Sequence, residues 1–106
     1  MSLSKLIEAV EAGVISTDLI MDALEEPVDQ VTCLAAFDGY VEAGPALAAS
    51  VLPDWTWTMH SNGQAALWPP GTVDGQNAGV IEAEADGLPS RALLLCILRA
   101  LEQEGR

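Results

Sequence analysis

Near the N-terminus, apolar residues recur with the spacing of an amphipathic helix. Leu3, Leu6, Ile7 and Val10 stand at positions i, i+3, i+4 and i+7, so they would share one helix face. Gly13 can adopt the left-handed conformation in which helices commonly end. The pattern predicts a first helix over residues 2–12 whose apolar face packs into a core.

The next segment predicts a second helix with an acidic outer side. Ser16 or Thr17 is expected to begin it, because both are good N-cap residues, and Ile20 lies on its inner face. Proline disfavours helical geometry at the residue before it and clashes with the turn behind. Pro27 is therefore expected to interrupt the helix after Glu26.

Residues 28–43 carry no clear period. The segment VTCLAAF fits either a strand or a short buried helix, and Asp38-Gly39 marks a turn after it. Pro45 fits the first position of a following helix, PALAASVL, and Pro53 is expected to end that helix. The pattern leaves both alternatives open for the segment before Asp38.

The clearest signal is the stretch DWTWTMHSNGQAALW, which predicts a β-hairpin. Trp and Met alternate with Thr and His over residues 55–60, the two-residue period of a strand. Asn62-Gly63 is the dipeptide favoured in a two-residue type I′ turn. That turn would pair Trp57 with Trp68 across the strands, and aromatic pairs help to fix register. The tryptophans are interpreted as core residues rather than as a stacking platform for bases or sugars.

The last third of the chain completes the predicted fold. Alternation in GVIEAEAD predicts a third strand over residues 79–86, with its acids pointing outward. The segment LPSRALLLCILRALEQEG predicts a long, largely buried helix begun by Pro89. We therefore expect one α+β domain over residues 1–106. Its three-stranded antiparallel sheet, hairpin 55–69 plus strand 79–86, would pack against the C-terminal helix and the N-terminal helices.

Composition adds a strongly acidic surface to this fold. The chain has 16 Asp and Glu against 4 Lys and Arg, a formal net charge of −12, and no base between Lys5 and Arg91. Such a surface repels nucleic acid and anionic membranes, and it attracts basic surfaces over roughly a Debye length, about 8 Å at cellular salt. In the alternative interpretation, the acids only keep a small protein rich in Ala and Leu in solution.

The sequence argues against a leader, a membrane span and a disulfide. Glu8 and Glu11 interrupt the apolar residues of the first helix, unlike a signal peptide, and the longest apolar run, ALLLCIL, is too short to cross a bilayer. Cys33 and Cys96 form no Cys-x-x-Cys motif, and we expect both to be reduced and buried. These features predict a cytoplasmic protein that makes no membrane contact.

No arrangement of residues predicts catalysis. His60 is the single histidine, and no Cys/His cluster has the spacing of a zinc site. No Gly-rich loop joins a strand to a helix, which argues against nucleotide binding. Glu82 and Glu84 would lie roughly 7 Å apart on a strand, compatible with an acid–base pair, although solvated carboxylates are the simpler interpretation. We expect a protein that is not an enzyme and that holds no metal or cofactor.

Part of the chain resembles a known family. The block PALAASVLPDWTWTMHS, the hairpin, the alanine-bearing strand and the Pro89 helix with ALLLCILRALEQEG carry the likeness, together with the opening helix. Over residues 1–12 and 44–106 the chain is similar to the small phage proteins grouped as the phage alpha-beta-alpha (ABA) sandwich domain. Family members usually have a hydroxyl residue before that proline, where this chain has Leu88. The resemblance implies a phage or prophage origin, a bacterial host and no known catalytic residues.

Charge and resemblance together predict a small phage-type inhibitor of host defence. It would act like an anti-CRISPR nucleic-acid mimic, as a monomer or homodimer, by occupying a basic nucleic-acid-binding surface of a host protein or complex without touching nucleic acid itself. The candidate partner-binding residues are Asp18, Asp22, Glu25, Glu26, Asp29, Glu82, Glu84 and Asp86. The alternative is a phage structural or assembly accessory protein that binds through an apolar surface.

Overall fold

The computed structural model describes residues 2–70, 80–85 and 87–104, which form an α+β fold. The helices are α1 (Ser2–Ala12), α2 (Thr17–Ala23), α3 (Pro27–Asp38), α4 (Ala43–Val51) and α5 (Pro89–Gln103). The strands are β1 (Thr56–Met59), β2 (Gln64–Trp68) and β3 (Ile81–Glu84), in the antiparallel order β1-β2-β3. The predicted fold class is confirmed, with α5 packed on the sheet.

Helix α5 forms the centre of the core. All its residues from 92 to 98 are buried, because the sheet packs against it together with α1, α3 and α4. Arg91 and Arg99 are half-exposed and mark its narrow polar side. The prediction of a largely buried C-terminal helix is confirmed, and Pro89 is its first residue, as expected.

The segment that the sequence left open is helical. Helix α3 ends at Gly39, whose φ of 97° is the left-handed conformation expected of a C-terminal glycine. Its buried positions follow helical spacing and are Asp29, Cys33, Ala36 and Phe37. The following helix starts at Ala43, two residues earlier than predicted, so that Pro45 is its third residue, and it ends before Pro53.

A buried hydrogen bond joins α4 to the central helix. The Gly44 N–H has no partner within α4, since the first N–H groups of a helix lack an acceptor there. It donates instead to Ser90 Oγ at 2.8 Å, and Ser90 is fully buried. A side chain at position 44 would not fit, because a Cβ there would lie 2.8 Å from the same oxygen. Gly44 therefore lets α4 approach α5 closely.

The hairpin forms, but its turn differs from the prediction. The His60 N–H donates to Gln64 O at 2.8 Å, and the Gly63 N–H donates to His60 O at 3.0 Å. Gly63 has a φ of 92°. These bonds describe a three-residue loop, in which a type I turn is followed by a left-handed residue that forms a bulge. The predicted two-residue type I′ turn is wrong.

The longer turn shifts the strand register by one residue. Trp57 pairs with Leu67, and Thr56 pairs with Trp68. The predicted Trp57–Trp68 pair is therefore wrong, and the two tryptophans lie on opposite faces of the sheet. The core interpretation is confirmed for Trp55, which packs against the buried cluster, whereas Trp57 on edge strand β1 is 37% exposed.

Strand β3 shows the predicted alternation. Ile81 is buried and Ala83 packs against the core, while Glu82 and Glu84 are exposed on the face turned away from α5. The strand is shorter than the predicted range 79–86. Positions 79 and 86 lie outside the described residues.

Both cysteines are free and buried, as expected. Cys33 is on the inner face of α3, and the Cys96 thiol lies 3.5 Å from Ile81 O and 3.6 Å from Ala65 O, so it can donate to the sheet backbone. Burial away from water raises the pKa of each thiol from 9.0 to about 12, because desolvation disfavours the thiolate.

Neither thiol is expected to react with a thiol-specific reagent at pH 8 while the protein is folded, since the thiolate is the reactive form. In urea, both should be labelled. Folding keeps both thiols protonated, because their pKa is about 12 in the folded protein and 9.0 in the unfolded chain. The contribution of the neutral thiols to the free energy of unfolding is therefore complete below pH 9.0 and is lost as the pH rises towards about 12. Rapid labelling of Cys33 or Cys96 without denaturant would contradict the burial. Urea titrations between pH 8 and pH 11 measure the loss of stability.

Candidate protein-interaction surface

Four predicted acids form an exposed set at α2. Asp18 and Asp22 lie on the helix, Glu25 and Glu26 lie in the short connection to α3, and we call these four side chains the α2 acids. Asp18 and Asp22 point outward because Ile20, opposite them on α2, is 1% exposed, and Glu25 and Glu26 are exposed as well. The α2 acids therefore face solvent on an element whose rotation is fixed by packing.

Local sequence explains why α2 begins and ends where it does. Ser16 caps the helix, its Oγ accepting the Leu19 N–H at 3.3 Å. The helix ends at Leu24, before Pro27 begins α3. The predicted break of the acidic stripe is confirmed, although it comes slightly earlier than Glu26.

Asp29 does not belong to this exposed surface. The sequence predicted it as part of the partner-binding set, and the structure corrects that prediction. Its carboxylate is buried, with 7% of the residue exposed, on the inner face of α3. Its Oδ1 accepts the Ser50 hydroxyl at 2.6 Å. Because buried carboxylates need hydrogen-bond partners, this contact makes Asp29 a link between α3 and α4.

The second predicted set lies on the sheet. Glu82 and Glu84 are exposed, and Gln64 Nε2 donates to Glu84 Oε2 at 3.3 Å. His60 lines the same open depression on the outer sheet face as these two glutamates. Asp86, the third predicted member, lies outside the described residues. The depression is partly open and is lined by Gln64 and Ala66 as well.

The two acidic sets lie in different layers. The main packing contacts of α2 are with α1 and α3, whereas β3 packs on β2 and α5. Arg99 lies at the junction of α1 and β3, where it forms an ion pair with Glu11 and donates to Glu82 O at 3.1 Å. The Arg99 side chain therefore interrupts the acidic surface between the sheet and the helices. The α2 acids form a separate surface.

Arg91 and Arg99 are engaged away from the α2 acids. Arg91 Nε donates to Phe37 O at 2.7 Å, and its guanidinium lies 4.0 Å from the centre of the Phe37 ring. Within residues 2–70, 80–85 and 87–104, the ion pair that forms is that of Arg99 with Glu11. In this part of the chain no base neutralises an α2 acid.

Sequence reasoning missed an apolar surface next to the α2 acids. Val28, Val31 and Leu34 stand at i, i+3 and i+6 on the outer side of α3, and we call them the α3 stripe. Their exposed fractions are 67%, 70% and 37%. Met21 on α2 is 60% exposed beside Asp22. The two valines of the segment PVDQV are visible in the sequence. Their exposure could not be predicted, because it depends on which face of α3 is turned towards the core.

Other classes of site find little support in the part of the chain that the structure describes. There, no group of three or more His, Cys, Asp or Glu side chains is placed to hold a metal ion. None of the described helices combines the length and hydropathy that crossing a membrane requires. In comparisons with known proteins, no family model, curated protein or solved structure matches this chain. The resemblance to the phage ABA sandwich proteins therefore stays a prediction.

Proposed function

We propose that this protein is a non-enzymatic binding protein whose α2 acids dock on a basic, nucleic-acid-binding surface of a partner protein. The observation that carries this proposal is the set of four exposed carboxylates on one short helix and the connection that follows it, with no described base in an ion pair with them. Their field attracts a cationic surface and repels nucleic acid.

Local energetics also support a binding role. Asp18 and Asp22 stand at i, i+4, where like charges cost a few tenths of a kcal/mol. Glu25 follows the C-terminal end of α2, where the helix dipole disfavours negative charge, whereas Glu26 is the N-cap of α3, where the dipole favours it. The Asp18–Asp22 repulsion and the position of Glu25 lower local stability, and local rules are broken mainly where a function offsets the cost.

The resemblance and the charge suggest what such a surface does. Duplex DNA carries one negative charge per about 1.7 Å of its axis, and a basic channel that binds DNA neutralises several of these charges. An acidic protein that occupies this channel competes with the nucleic acid. In a bacterial host, the proposed role is inhibition of a defence complex of the CRISPR type, with the protein acting as a nucleic-acid mimic.

A matched pair of variants tests the proposal. Asp18→Asn, Asp22→Asn, Glu25→Gln and Glu26→Gln together remove the α2 acids, and Glu8→Gln, Glu42→Gln, Asp54→Asn and Glu104→Gln remove the same charge from exposed positions elsewhere. In pull-downs from a bacterial lysate, wild type and the second variant should retain a nucleic-acid-binding protein at about 50 mM salt and lose most of it by about 200 mM. The first variant should retain little at either salt concentration.

The captured protein is then purified and tested for competition. The chain should displace DNA or RNA from it, and the α2 variant should not. Equal loss of binding in both variants would show that net charge, and not the α2 surface, is responsible. A complex that survives molar salt would contradict the electrostatic mode of binding.

A second candidate function has its own supporting observation. The α3 stripe is an exposed apolar surface, as expected of a phage structural or assembly accessory protein that binds through apolar contacts. This candidate predicts a complex that resists salt and a gel-filtration volume that changes with protein concentration.

A further inference from the structure

We propose that the α3 stripe and the α2 acids form one docking site for a cationic amphipathic helix of the partner protein. This inference rests on the proposed function and specifies the partner segment. The stripe would receive the apolar face of that helix, and the acids would receive its Lys and Arg side chains.

The first argument is that the outer side of α3 is apolar, unlike that of an ordinary surface helix. Such a helix turns apolar residues inward and polar residues outward. In α3 the inner face includes Asp29, while the outer face carries the α3 stripe. Exposed valine gains nothing from burial, and its helix propensity is below that of alanine or lysine. The outer valines, each about two-thirds exposed, therefore contribute little to the stability of α3 itself.

The second argument is charge complementarity along the stripe. Glu26 is the N-cap of α3 and stands two residues before Val28, so one of the α2 acids lies at the N-terminal end of the stripe. At the other end, Asp38 is exposed and lies seven residues after Val31, on the same side of the helix. A helix lying along α3 would meet apolar side chains in the middle and carboxylates at both ends.

The third argument concerns the occupant. A second copy of this chain would bring its own net charge of −12 and the same acids, and like charges placed opposite each other disfavour association. Nucleic acid and anionic lipid are repelled for the same reason. A helix with apolar residues on one face and Lys or Arg beside them satisfies both halves of the site, since its apolar anchors recur at i, i+3, i+4 and i+7.

Two synthetic peptides serve as probes. One consists of leucine and lysine with the leucines at i, i+3, i+4 and i+7, and the other has the same composition in scrambled order. Fluorescence anisotropy measures the affinity of each for the protein. The amphipathic peptide should bind about tenfold more tightly than the scrambled one, because only its leucines can cover the stripe together.

A matched pair of valine substitutions locates the site. Val31→Ser should weaken binding of the amphipathic peptide about fivefold, since it removes an apolar contact. Val14→Ser should leave the affinity unchanged, because Val14 is 67% exposed, close to the 70% of Val31, but lies outside the stripe. Both positions are exposed, so circular dichroism should show that both variants remain folded.

The outcomes separate this inference from the proposed function. Suppose both peptides bind equally and Val31→Ser has no effect, while removal of the α2 acids still abolishes binding. The docking site would then be overturned and the electrostatic function would stand. Binding that is unaffected by removal of the α2 acids would overturn both. A wild-type dimer in gel filtration that Val31→Ser dissociates would assign the stripe to a second copy and overturn the inference.

Discussion

Gly63→Ala is expected to lower the free energy of unfolding by about 3 kcal/mol, combining a left-handed backbone cost with a steric clash. Gly63 has a φ of 92°, and a Cβ there would lie 2.4 Å from Gly87 N and 2.8 Å from Gly87 Cα. These are backbone atoms that cannot rotate away as a side chain would. The turn is also bonded to the end of β3, since Ala85 N–H donates to Gly63 O at 2.8 Å. Relief of the clash would therefore disturb two connections of the sheet.

Gly13→Ala is the matched control. Gly13 has a φ of 78°, but a Cβ there would meet nothing within 4 Å. It should cost only the conformational strain, about 1 kcal/mol. Urea titration of both variants gives the difference, with the slope unchanged if the unfolded state is unaffected. Equal losses would show that the turn does not press against Gly87 in solution.

Leu93→Ala is expected to lower the free energy of unfolding by about 2–5 kcal/mol, the range for truncating a buried leucine to alanine. Leu93 is fully buried on α5. Its Cδ2 lies close to Gly44, 3.2 Å from where a Cβ would stand, so it packs where α4 approaches α5 most closely. The cavity would open between two elements whose backbones are joined by the Gly44–Ser90 hydrogen bond and cannot easily collapse.

Leu34→Ala provides the comparison for Leu93→Ala. Leu34 is 37% exposed and belongs to the α3 stripe, so its truncation should change stability by less than about 1 kcal/mol. Thermal unfolding followed by circular dichroism measures both. If Leu34→Ala proved as costly as Leu93→Ala, the outer side of α3 would be packed in the free protein, and the stripe would not be available to a partner.

The elements with a strong local signal could be predicted from sequence. Helix α5 combines an apolar run with Pro89 at its first position, and the Thr/Trp alternation of β1 leaves little choice of structure. The register of the hairpin could not be predicted. Asn62-Gly63 favours a two-residue turn, but Gly63 takes the left-handed position of a three-residue turn, where it meets Gly87. Gly87 is far from Gly63 in sequence, so the pattern of residues around the turn does not reveal this contact.

The sequence left strand and helix open for α3, because each of its two faces includes residues of an unexpected kind. Asp29 is buried against Ser50, a residue that the chain brings from α4. Val28 and Val31 are exposed where a polar residue is expected. A prediction from periodicity assumes that acids face water and that valines face the core. It fails in α3 because Ser50 hydrogen-bonds a buried acid and because two valines lie on the surface.

In the candidate site too, local features could be predicted from sequence, whereas features that depend on tertiary contacts could not. The α2 acids could be predicted because Ile20 fixes the inner face and Pro27 fixes the end of the helix. Asp29 was wrongly grouped with them, since sequence spacing alone cannot reveal the Ser50 hydroxyl. The separation of Glu82 and Glu84 from α2 depends on how the layers stack around α5, which no short segment encodes.

The central place of α5 has a consequence for cooperativity. The sheet and helices α1, α3 and α4 all pack on this one helix. Neither the hairpin nor the N-terminal helices enclose a complete apolar core without it, so a fragment that lacks α5 would have no stable partner for its apolar faces. Loss of α5 packing would melt sheet and helices in a single transition, whereas α2, docked mainly on α1 and α3, could fray alone.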